Sequence, residues 1–485
     1  MQAMRGSAVA DPAEPSTVDE PGRVHWLGRW YWVWPALLTL GAAGWRLGTP
    51  SLWADELATW GAVRLGWGQL FRLSGHVDAV VAPYYVLAKG WAAVAGTSPV
   101  ALRLPSVLAM AAATALVAVL GARVADRWVG LLAGVLFAVL PVTSRFAQEA
   151  RPYAFVVLCA VVASLLLIRL LARPAVPVGL AYALTVALLG AFHLVGLLLL
   201  LAHAVVARRR LVAWALWAGC GVLPVLPLVW FGARQSGQVT WIPPARLHTI
   251  LAAPQDLFVS GTVAGALIAL ALLAFSRRWP VLALVSWAVV PLAALAVVAQ
   301  FTPLFWPRYL SYTVPAWVVL AAVTVGRLSR NRTIAVLVAV AALGAPAQTS
   351  IRMPDGHGQA TRAAGTLIAD HDRPGDAIAY SLLESAPWVP RDLVERYVPA
   401  PRRPRDVFAV GRQRIDGHLA ARECADLAAC LDKADPPRIW VVRMRTQTDP
   451  LHGLGDAKED LLRSRYHLTG LWLPNGLTVA LYERG

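Results

Sequence analysis

Eleven apolar runs follow one another between residues 32 and 349, and they limit what this chain can fold into. A membrane-spanning helix needs about 20 predominantly apolar residues, and a shorter one can still cross where the bilayer thins. Residues 178–207 are too long for one crossing, so we divide them at Phe192 and His193. The predicted spans are 32–48, 99–120, 128–144, 153–170, 178–191, 194–207, 211–231, 261–275, 281–300, 309–326 and 333–349. The pattern predicts a polytopic α-helical membrane protein.

The distribution of charge divides the chain into two parts. Charged residues account for 35 of the first 350 residues and for 37 of the last 135. The first figure is typical of a membrane-embedded region and the second of a soluble domain, which excludes a soluble enzyme, a disordered scaffold and a fibrous repeat. We predict a disordered tail over 1–29, a transmembrane domain over 30–350 and a small α/β domain over 351–485.

Arginines predict the orientation of the spans. If residues 80–96 form an interfacial helix and not a twelfth span, 12 arginines and one acid, Asp126, fall in the loops on one side. The positive-inside rule makes that side cytoplasmic, so the tail is cytoplasmic and the C-terminal domain extracytoplasmic. The net charge of +16 therefore reflects arginines that flank spans, and we expect no nucleic-acid partner. The other acids of residues 30–350 lie on the outer face: Asp55, Glu56, Asp78, Glu149 and Asp256.

Short patterns in residues 351–485 predict a mixed domain. Apolar segments at 376–381, 438–444 and 477–483 predict strands, and amphipathic stretches at 361–371, 418–433 and 456–466 predict helices. Cys424 and Cys430 lie six residues apart in this domain. An exported compartment permits a disulfide between them, but one continuous helix would hold them too far apart, so their pairing is open.

The first outer loop contains two candidate functional clusters. Asp55 and Glu56 follow the first span directly, and one carboxylate can accept a proton from an attacking hydroxyl group. The same pair can instead cap an interfacial helix. Further along, His76 and Asp78 can orient the acidic pair, bind a divalent cation with it, or simply form a polar loop. The start of the interfacial helix adds two more candidates, Tyr84 and Tyr85.

The other outer loops supply arginines and amides. Arginine suits bidentate binding of phosphate, although an Arg–Glu ion pair or snorkelling to lipid head groups would use the same residues. One loop contains Arg145, Gln148, Glu149, Arg151 and Tyr153, and another contains Arg308 and Tyr309. The loop with Gln235 and Gln238 also carries Trp241, a combination that suits sugars. No glycine-rich phosphate loop is evident, which argues against an ATP-driven pump or a nucleotide-sugar enzyme.

Taken together, these residues resemble the GT-C-type membrane glycosyltransferases. The Asp55-Glu56 pair, the His/Asp segment before Pro83-Tyr84-Tyr85 and the Gln148-Glu149-Ala150-Arg151-x-Tyr153 segment are similar to those of glycosyltransferase family 39 relatives. That group includes protein O-mannosyltransferases and the lipid A aminoarabinose transferase, and the nearest pattern is that of the actinobacterial mannosyltransferase group. The resemblance covers residues 30–350. Val80-Val81-Ala82 replaces the Pro-Pro-Leu-like run of many relatives, which weakens the assignment of Asp78.

The resemblance implies transfer of a mannose or arabinofuranose-like sugar from a polyprenyl-phosphate donor on the outer face. The acceptor would be a cell-envelope glycan, glycolipid or protein, and transfer would invert the anomeric carbon. Asp55 would be the catalytic base, Glu56, His76 and Asp78 would shape the site, and Arg308 with Arg151 or Arg145 would hold the donor phosphate. The need for a divalent cation is left open.

Two other functions are compatible with the sequence. A transporter or lipid flippase would use the outer carboxylates to bind substrate or protons, but such proteins usually carry ionisable groups near the bilayer midplane. A non-catalytic cell-envelope assembly protein would use the C-terminal domain to bind a partner. Because the polar groups gather at one surface, the glycosyltransferase is the leading hypothesis.

Overall fold

The computed structural model describes residues 28–485, so the predicted tail lies outside the described residues except for Gly28 and Arg29. Up to residue 351 the described chain is mostly helical. The helices are α1 (Val33–Gly44), α2 (Ala54–Val63), α3 (Trp67–His76), α4 (Ala82–Ala95), α5 (Pro99–Val124), α6 (Arg127–Val139), α7 (Pro141–Ala147), α8 (Tyr153–Ala172), α9 (Val176–Phe192), α10 (Leu199–Val206), α11 (Leu211–Val222), α12 (Leu226–Arg234), α13 (Leu247–Leu257), α14 (Gly261–Leu273), α15 (Trp279–Val298), α16 (Val314–Val325) and α17 (Arg330–Ile351).

All eleven predicted spans coincide with helical segments. Within residues 28–485, six helical stretches are long and apolar enough to cross a membrane: 99–124, 153–172, 208–234, 279–298, 307–325 and 330–351. Two bent pairs, α6 with α7 at 64° and α13 with α14 at 93°, each pass as one broken span. Shorter apolar helices at Val33–Gly44, Val176–Phe192 and Leu194–Val206 match the other predicted spans. The chain is a multi-pass membrane protein.

Local chemistry explains how these helices bend and pack. Pro141 opens α7, and Leu140 before it is extended, because proline disfavours a helical conformation in the preceding residue. Elsewhere, α5 and α6 approach closely at glycines. A Cβ atom on Gly130 would lie 2.5 Å from the Ala118 carbonyl oxygen, so only glycine permits this contact.

The C-terminal domain is a small α/β unit, as predicted. Its helices are α18 (Thr361–His371), α19 (Val389–Tyr397), α20 (Leu427–Ala434) and α21 (Asp456–Arg465), and its strands are β1 (Ala377–Tyr380), β2 (Arg405–Asp406), β3 (Arg438–Met444), β4 (Tyr466–Trp472) and β5 (Leu477–Arg484). The sheet order is β2-β1-β3-β5-β4. Strand β1 pairs in parallel with β2 and β3, whereas β5 is antiparallel to β3 and β4.

The structure differs from the predicted C-terminal domain in one helix boundary and adds three elements that were not predicted, α19, β2 and β4. The predicted helix 418–433 is wrong in its first half, because Glu423 pairs with Ala409 in an antiparallel bridge and helix α20 begins only at Leu427. The chain therefore turns between Cys424 and Cys430, and these two residues form a disulfide. Strand β4 was not predicted from the sequence. It is a largely exposed edge strand, so its apolar residues do not mark a buried segment.

The C-terminal domain is hydrogen-bonded to the chain that leads into α2. Trp53, at the N-cap position of α2, offers no side-chain hydrogen bond. Instead, the amide of Ala54 donates to Oε1 of Gln359 at 2.7 Å, and the amide of Leu52 donates to the Tyr397 hydroxyl at 2.9 Å. The C-terminal domain thus satisfies backbone groups at the start of the helix that carries Asp55 and Glu56.

Candidate active site

Asp55 lies in the first turn of α2 and is held by two arginines from distant loops. Its Oδ2 atom is 3.3 Å from Nη1 of Arg308 and 3.7 Å from Nε of Arg151. The positive end of a helix dipole also favours a carboxylate in this position. The Asp55 side chain keeps 25% of its surface exposed. A carboxylate with long contacts and open surface remains available to a substrate.

Aromatic rings surround the arginines next to Asp55. The Arg308 guanidinium lies 5.0 Å from the Trp53 ring centroid and 5.5 Å from that of Trp306. The Arg145 guanidinium lies 5.5 Å from the Trp53 ring centroid. Such cation–π contacts restrict the side chains without neutralising their charge. The arginines therefore retain the capacity to bind an anion.

Glu56 has a different environment from its neighbour. It is fully buried and accepts two hydrogen bonds from Arg103 of α5, at 2.7 and 2.6 Å, and one from the amide of Ala150 at 2.9 Å. Burial alone would raise the pKa of Glu56, but the charge and hydrogen bonds of Arg103 outweigh it and hold that pKa well below its usual range. His357 Nδ1 lies 3.4 Å from Glu56. Substrate has no access to this carboxylate.

Arg103 connects Glu56 to the loop before α2. Besides the carboxylate, it donates to the carbonyl oxygens of Leu47, Pro50 and Ser51 at 2.8, 3.0 and 3.2 Å. One buried ion pair therefore fixes the loop from which α2 starts. Arg103 was not predicted as a site residue, because it is a single arginine near the start of the apolar run 99–120.

Asp78 is enclosed by the tyrosine and glutamine candidates. It has a left-handed backbone with φ of 59°, and its Oδ2 accepts from the Tyr85 hydroxyl at 2.8 Å. The Gln238 amide can donate to its Oδ1 at 3.0 Å, while Gln235 accepts from the amide of Ala79 at 2.9 Å. Burial raises the pKa of Asp78, and the Arg151 charge opposes that rise. The loop that carries both glutamines thus closes over Asp78.

The Arg145–Glu149 pair lies next to the Asp55 site. Arg145 donates to Glu149 Oε2 at 3.0 Å, and the other oxygen, Oε1, is buried with no hydrogen-bond partner in residues 28–485. Burial raises the pKa of Glu149, and the Arg145 charge works against it. By contrast, Gln148 donates to the carbonyl oxygens of Ala43 and Trp45, so its amide holds the end of α1.

Two cavities flank Asp55. The first, of about 560 Å³, is called here the polar cavity and is lined by residues that include Trp53, Arg145, Glu149, Asp256, Trp306 and Arg308. The second, of about 580 Å³, is called the apolar cavity and is lined by residues that include Val80, Arg151, Tyr153, Phe192, His193, Leu194, Val229 and Tyr309. Each of the two arginines at Asp55 lines one of these cavities. Asp55 lines neither cavity itself and is connected to each through one of its arginine partners.

His193 lines the apolar cavity and was not a candidate site residue from the sequence. Its ring lies 4.6 Å from that of Tyr309 and 5.9 Å from that of Tyr153, measured between centroids. Burial and the charges of Arg151 and Arg308 lower the pKa of His193 to about 3. It is therefore a neutral hydrogen-bonding group within the cavity. The signal in the sequence that could have identified His193 is its position, as a polar residue at a break between two apolar runs.

Two other predicted residues lie outside the Asp55 cluster. His76 is exposed, donates from Nδ1 to the Arg72 carbonyl oxygen at 2.9 Å, and has its ring 5.8 Å from that of His418 in the C-terminal domain. Tyr84 is buried with its ring 6.1 Å from that of Phe155. Within residues 28–485, no group of three or more His, Cys, Asp or Glu side chains is placed to hold a metal ion. The structure thus brings together Asp55, Arg151, Tyr153, Arg308 and Tyr309.

The fold is that of a GT-C-type membrane protein with a small C-terminal sheet domain. It is similar to ArnT from Cupriavidus metallidurans in the apo state, with a TM-score of 0.59 and 14% sequence identity over 93% of this chain and 97% of that one. ArnT from the same organism bound to undecaprenyl phosphate gives a TM-score of 0.56 and 13% identity over the same shares. No protein-family model and no curated protein sequence matches the chain. At this identity the likeness establishes the fold.

Proposed function

We propose that this protein transfers a sugar from a polyprenyl-phosphate donor to an acceptor on the outer face of the membrane. The observation that carries the proposal is the position of Asp55, a partly exposed carboxylate between two cavities with one arginine from each. A carboxylate accepts protons, and arginines stabilise a phosphate leaving group. The N-terminus would be cytoplasmic and residues 351–485 extracytoplasmic, as the arginine distribution predicts.

In the proposed reaction, the acceptor oxygen attacks the anomeric carbon of the donor sugar. Its proton passes to the Asp55 carboxylate, the bond between the anomeric carbon and the phosphate oxygen breaks, and the electron pair leaves with the phosphate. Attack from the side opposite the phosphate inverts the anomeric carbon. Arg151 and Arg308 can contact Asp55 and the phosphate together, because a guanidinium carries five N–H donors in a fixed plane. Glu56 acts through Arg103 as a positioning residue.

The two cavities suggest where each substrate would bind. The apolar side chains of the second cavity suit a prenyl chain, with Arg151 near the phosphate. The polar cavity, with Glu149 and Asp256, suits the hydroxyl groups of an acceptor. ArnT, a protein of the same fold, has a crystal structure bound to undecaprenyl phosphate, and this supports a polyprenyl-phosphate carrier here. Mannose and arabinofuranose, and membership of the actinobacterial mannosyltransferase group, rest on the sequence resemblance.

The test is the Asp55→Asn variant of the purified full-length protein with a polyprenyl-phosphate sugar. We expect turnover to fall by about 10²- to 10⁴-fold, because the amide cannot accept the proton, while the unfolding temperature is retained. The matched control is Asp126→Asn, since asparagine keeps the N-cap bond to the amide of Val129. Turnover of Asp55→Asn close to that of the wild type would overturn the base assignment.

A further inference from the structure

A third cavity lies between the membrane domain and the C-terminal domain. It has a volume of about 540 Å³, and none of its lining residues is shared with the two cavities beside Asp55. The end of α2 and the start of α3 form one wall, and α19 with the loop 403–415 forms the other. We call it the arginine cavity after five of its lining residues: Arg64, Arg391, Arg403, Arg412 and Arg414.

Positive charge exceeds negative charge in this cavity. Among residues 28–485 two carboxylates line it, Glu395, which pairs with Arg64 at 2.8 Å, and Asp406. Arg403 donates to the carbonyl oxygens of Glu395 and Val398, so its charge faces no carboxylate. Arg412 is exposed and has no ion pair or hydrogen bond within residues 28–485. At least two guanidinium groups are thus free to attract an anion.

Buried polar atoms in the wall also lack partners. Arg391 is only 6% exposed and is fixed by Asp406 at 2.8 Å and Glu423 at 2.7 Å, yet its Nη1 has no partner among residues 28–485. Oε1 of Gln413 is likewise buried and unpaired in this part of the chain. Unsatisfied buried groups of this kind cost free energy, and a bound oxygen or hydroxyl group would satisfy them.

The wall of the arginine cavity is fixed in position before anything binds. Arg414, buried and with a left-handed φ of 65°, forms two hydrogen bonds to Asp392 at 2.8 and 2.5 Å. Its guanidinium lies on Gly61 of α2, where a Cβ atom would come within 2.4 Å of Cζ. Since no side chain at position 61 intervenes, the C-terminal domain reaches the membrane domain directly. A preorganised wall reduces the ordering cost of binding.

We propose that the arginine cavity binds an anionic saccharide, a sugar ring that carries a phosphate or a carboxylate. A guanidinium can donate two parallel hydrogen bonds to two oxygens of either group. Gln69 and Gln413 offer amides to hydroxyl groups, and the buried Tyr380 ring, 4.6 Å from the Arg391 guanidinium, helps to hold that arginine in the wall. This site is separate from Asp55 and does not depend on the transfer reaction.

The test is isothermal titration calorimetry on the full-length protein in detergent. The probes are glucose 6-phosphate, glucuronate, glucose and inorganic phosphate. We expect at least one anionic sugar to bind, and glucose and inorganic phosphate each to bind at least about tenfold more weakly, because neither alone engages both the arginines and the amides. Equal binding of inorganic phosphate would overturn the saccharide assignment, and no heat with either anionic sugar would overturn the site.

Two variants test whether the anionic sugar binds in the arginine cavity. Arg412→Gln should weaken binding of the anionic sugar by about tenfold, the usual effect of one charged hydrogen bond. Since the Arg412 side chain makes no ion pair or hydrogen bond within residues 28–485, its loss should leave the unfolding temperature unchanged. The matched control is Arg445→Gln, an exposed arginine outside the cavity, which should bind as the wild type does. Unchanged affinity in Arg412→Gln would contradict the site, and unchanged affinity in Asp55→Asn would show that it is independent of catalysis.

Discussion

Ion pairs between arginine and carboxylate occur in both regions of the molecule, but with different geometry. In the C-terminal domain, Arg438 binds both oxygens of Asp376 at 2.8 and 2.5 Å, and both side chains are almost fully buried. At the outer end of the membrane domain, Asp55 faces its arginines at 3.3 and 3.7 Å and is partly exposed. Closed pairs hold structure together, whereas an open pair can exchange a partner for substrate.

The same contrast occurs between two neighbouring residues of α2. Glu56 has the closed geometry of the C-terminal pairs, and Asp55 has the open one. Consecutive residues of a helix point in directions about 100° apart, so they meet different surroundings. A single dipeptide therefore contains both a structural carboxylate and a candidate catalytic one.

The largest effect should come from breaking the closed pair at Glu56. Glu56→Gln leaves the Arg103 charge buried without its partner, which should lower the free energy of unfolding by about 3–5 kcal/mol. Thermal unfolding in detergent measures this change. The control is Glu395→Gln, which removes the exposed pair with Arg64 and should cost less than about 1 kcal/mol. A similar loss of unfolding free energy in Glu56→Gln and Glu395→Gln would mean that the buried ion pair stabilises the protein no more than the exposed one.

The next effect concerns the open pair. Arg308→Gln should reduce sugar transfer by about 10²- to 10³-fold, because the phosphate leaving group loses a charged donor. Its unfolding temperature should change little compared with Glu56→Gln. Arg246→Gln, an exposed arginine of the outer loops, is the control. If Arg308→Gln lost stability but kept its turnover, the Arg308–Asp55 pair would be structural, like those of the C-terminal domain.

A smaller effect should follow from the contact between the two regions. Gly61→Ala places a methyl group against the Arg414 guanidinium, which its two bonds to Asp392 prevent from moving freely. We expect a loss of about 1–3 kcal/mol in unfolding free energy. Gly68→Ala in α3 is the control, because a Cβ atom there meets nothing within 4 Å. Alanine should stabilise that helix by about 0.5–1 kcal/mol.

The smallest effect concerns the pH dependence of stability at Glu149. Burial raises the pKa of Glu149 in the folded protein above that in the unfolded chain. Its contribution to stability is therefore complete below the unfolded pKa, about 4.3, and is lost as the pH rises through the folded pKa. Glu149→Gln mimics the protonated form, so its melting temperature should fall less than that of the wild type as the pH increases. If the melting temperatures of the two proteins changed equally with pH, the raised pKa of Glu149 would be contradicted.

Local sequence patterns predicted much of the fold. The apolar runs correspond to helices, and the segments around Ala377, Arg438 and Leu477 form strands as expected. The wrong helix boundary has a cause outside its own segment. Residues 418–426 are amphipathic enough for a helix, but Glu423 pairs with Ala409 and is bound by Arg391 and Lys458. Contacts with residues distant in the sequence override the local preference there.

The candidate site likewise depends partly on local sequence and partly on contacts between distant residues. The sequence by itself determined that Asp55 and Glu56 follow the first span directly and so lie at the end of the membrane domain. It did not determine which carboxylate of the Asp55–Glu56 pair stays open. That choice depends on Arg103, 47 residues away from Glu56, and on Arg308, 253 residues away from Asp55. Hydrophobic periodicity is local and can be read along the chain, whereas burial and ion pairing are set by segments that meet only in the folded structure.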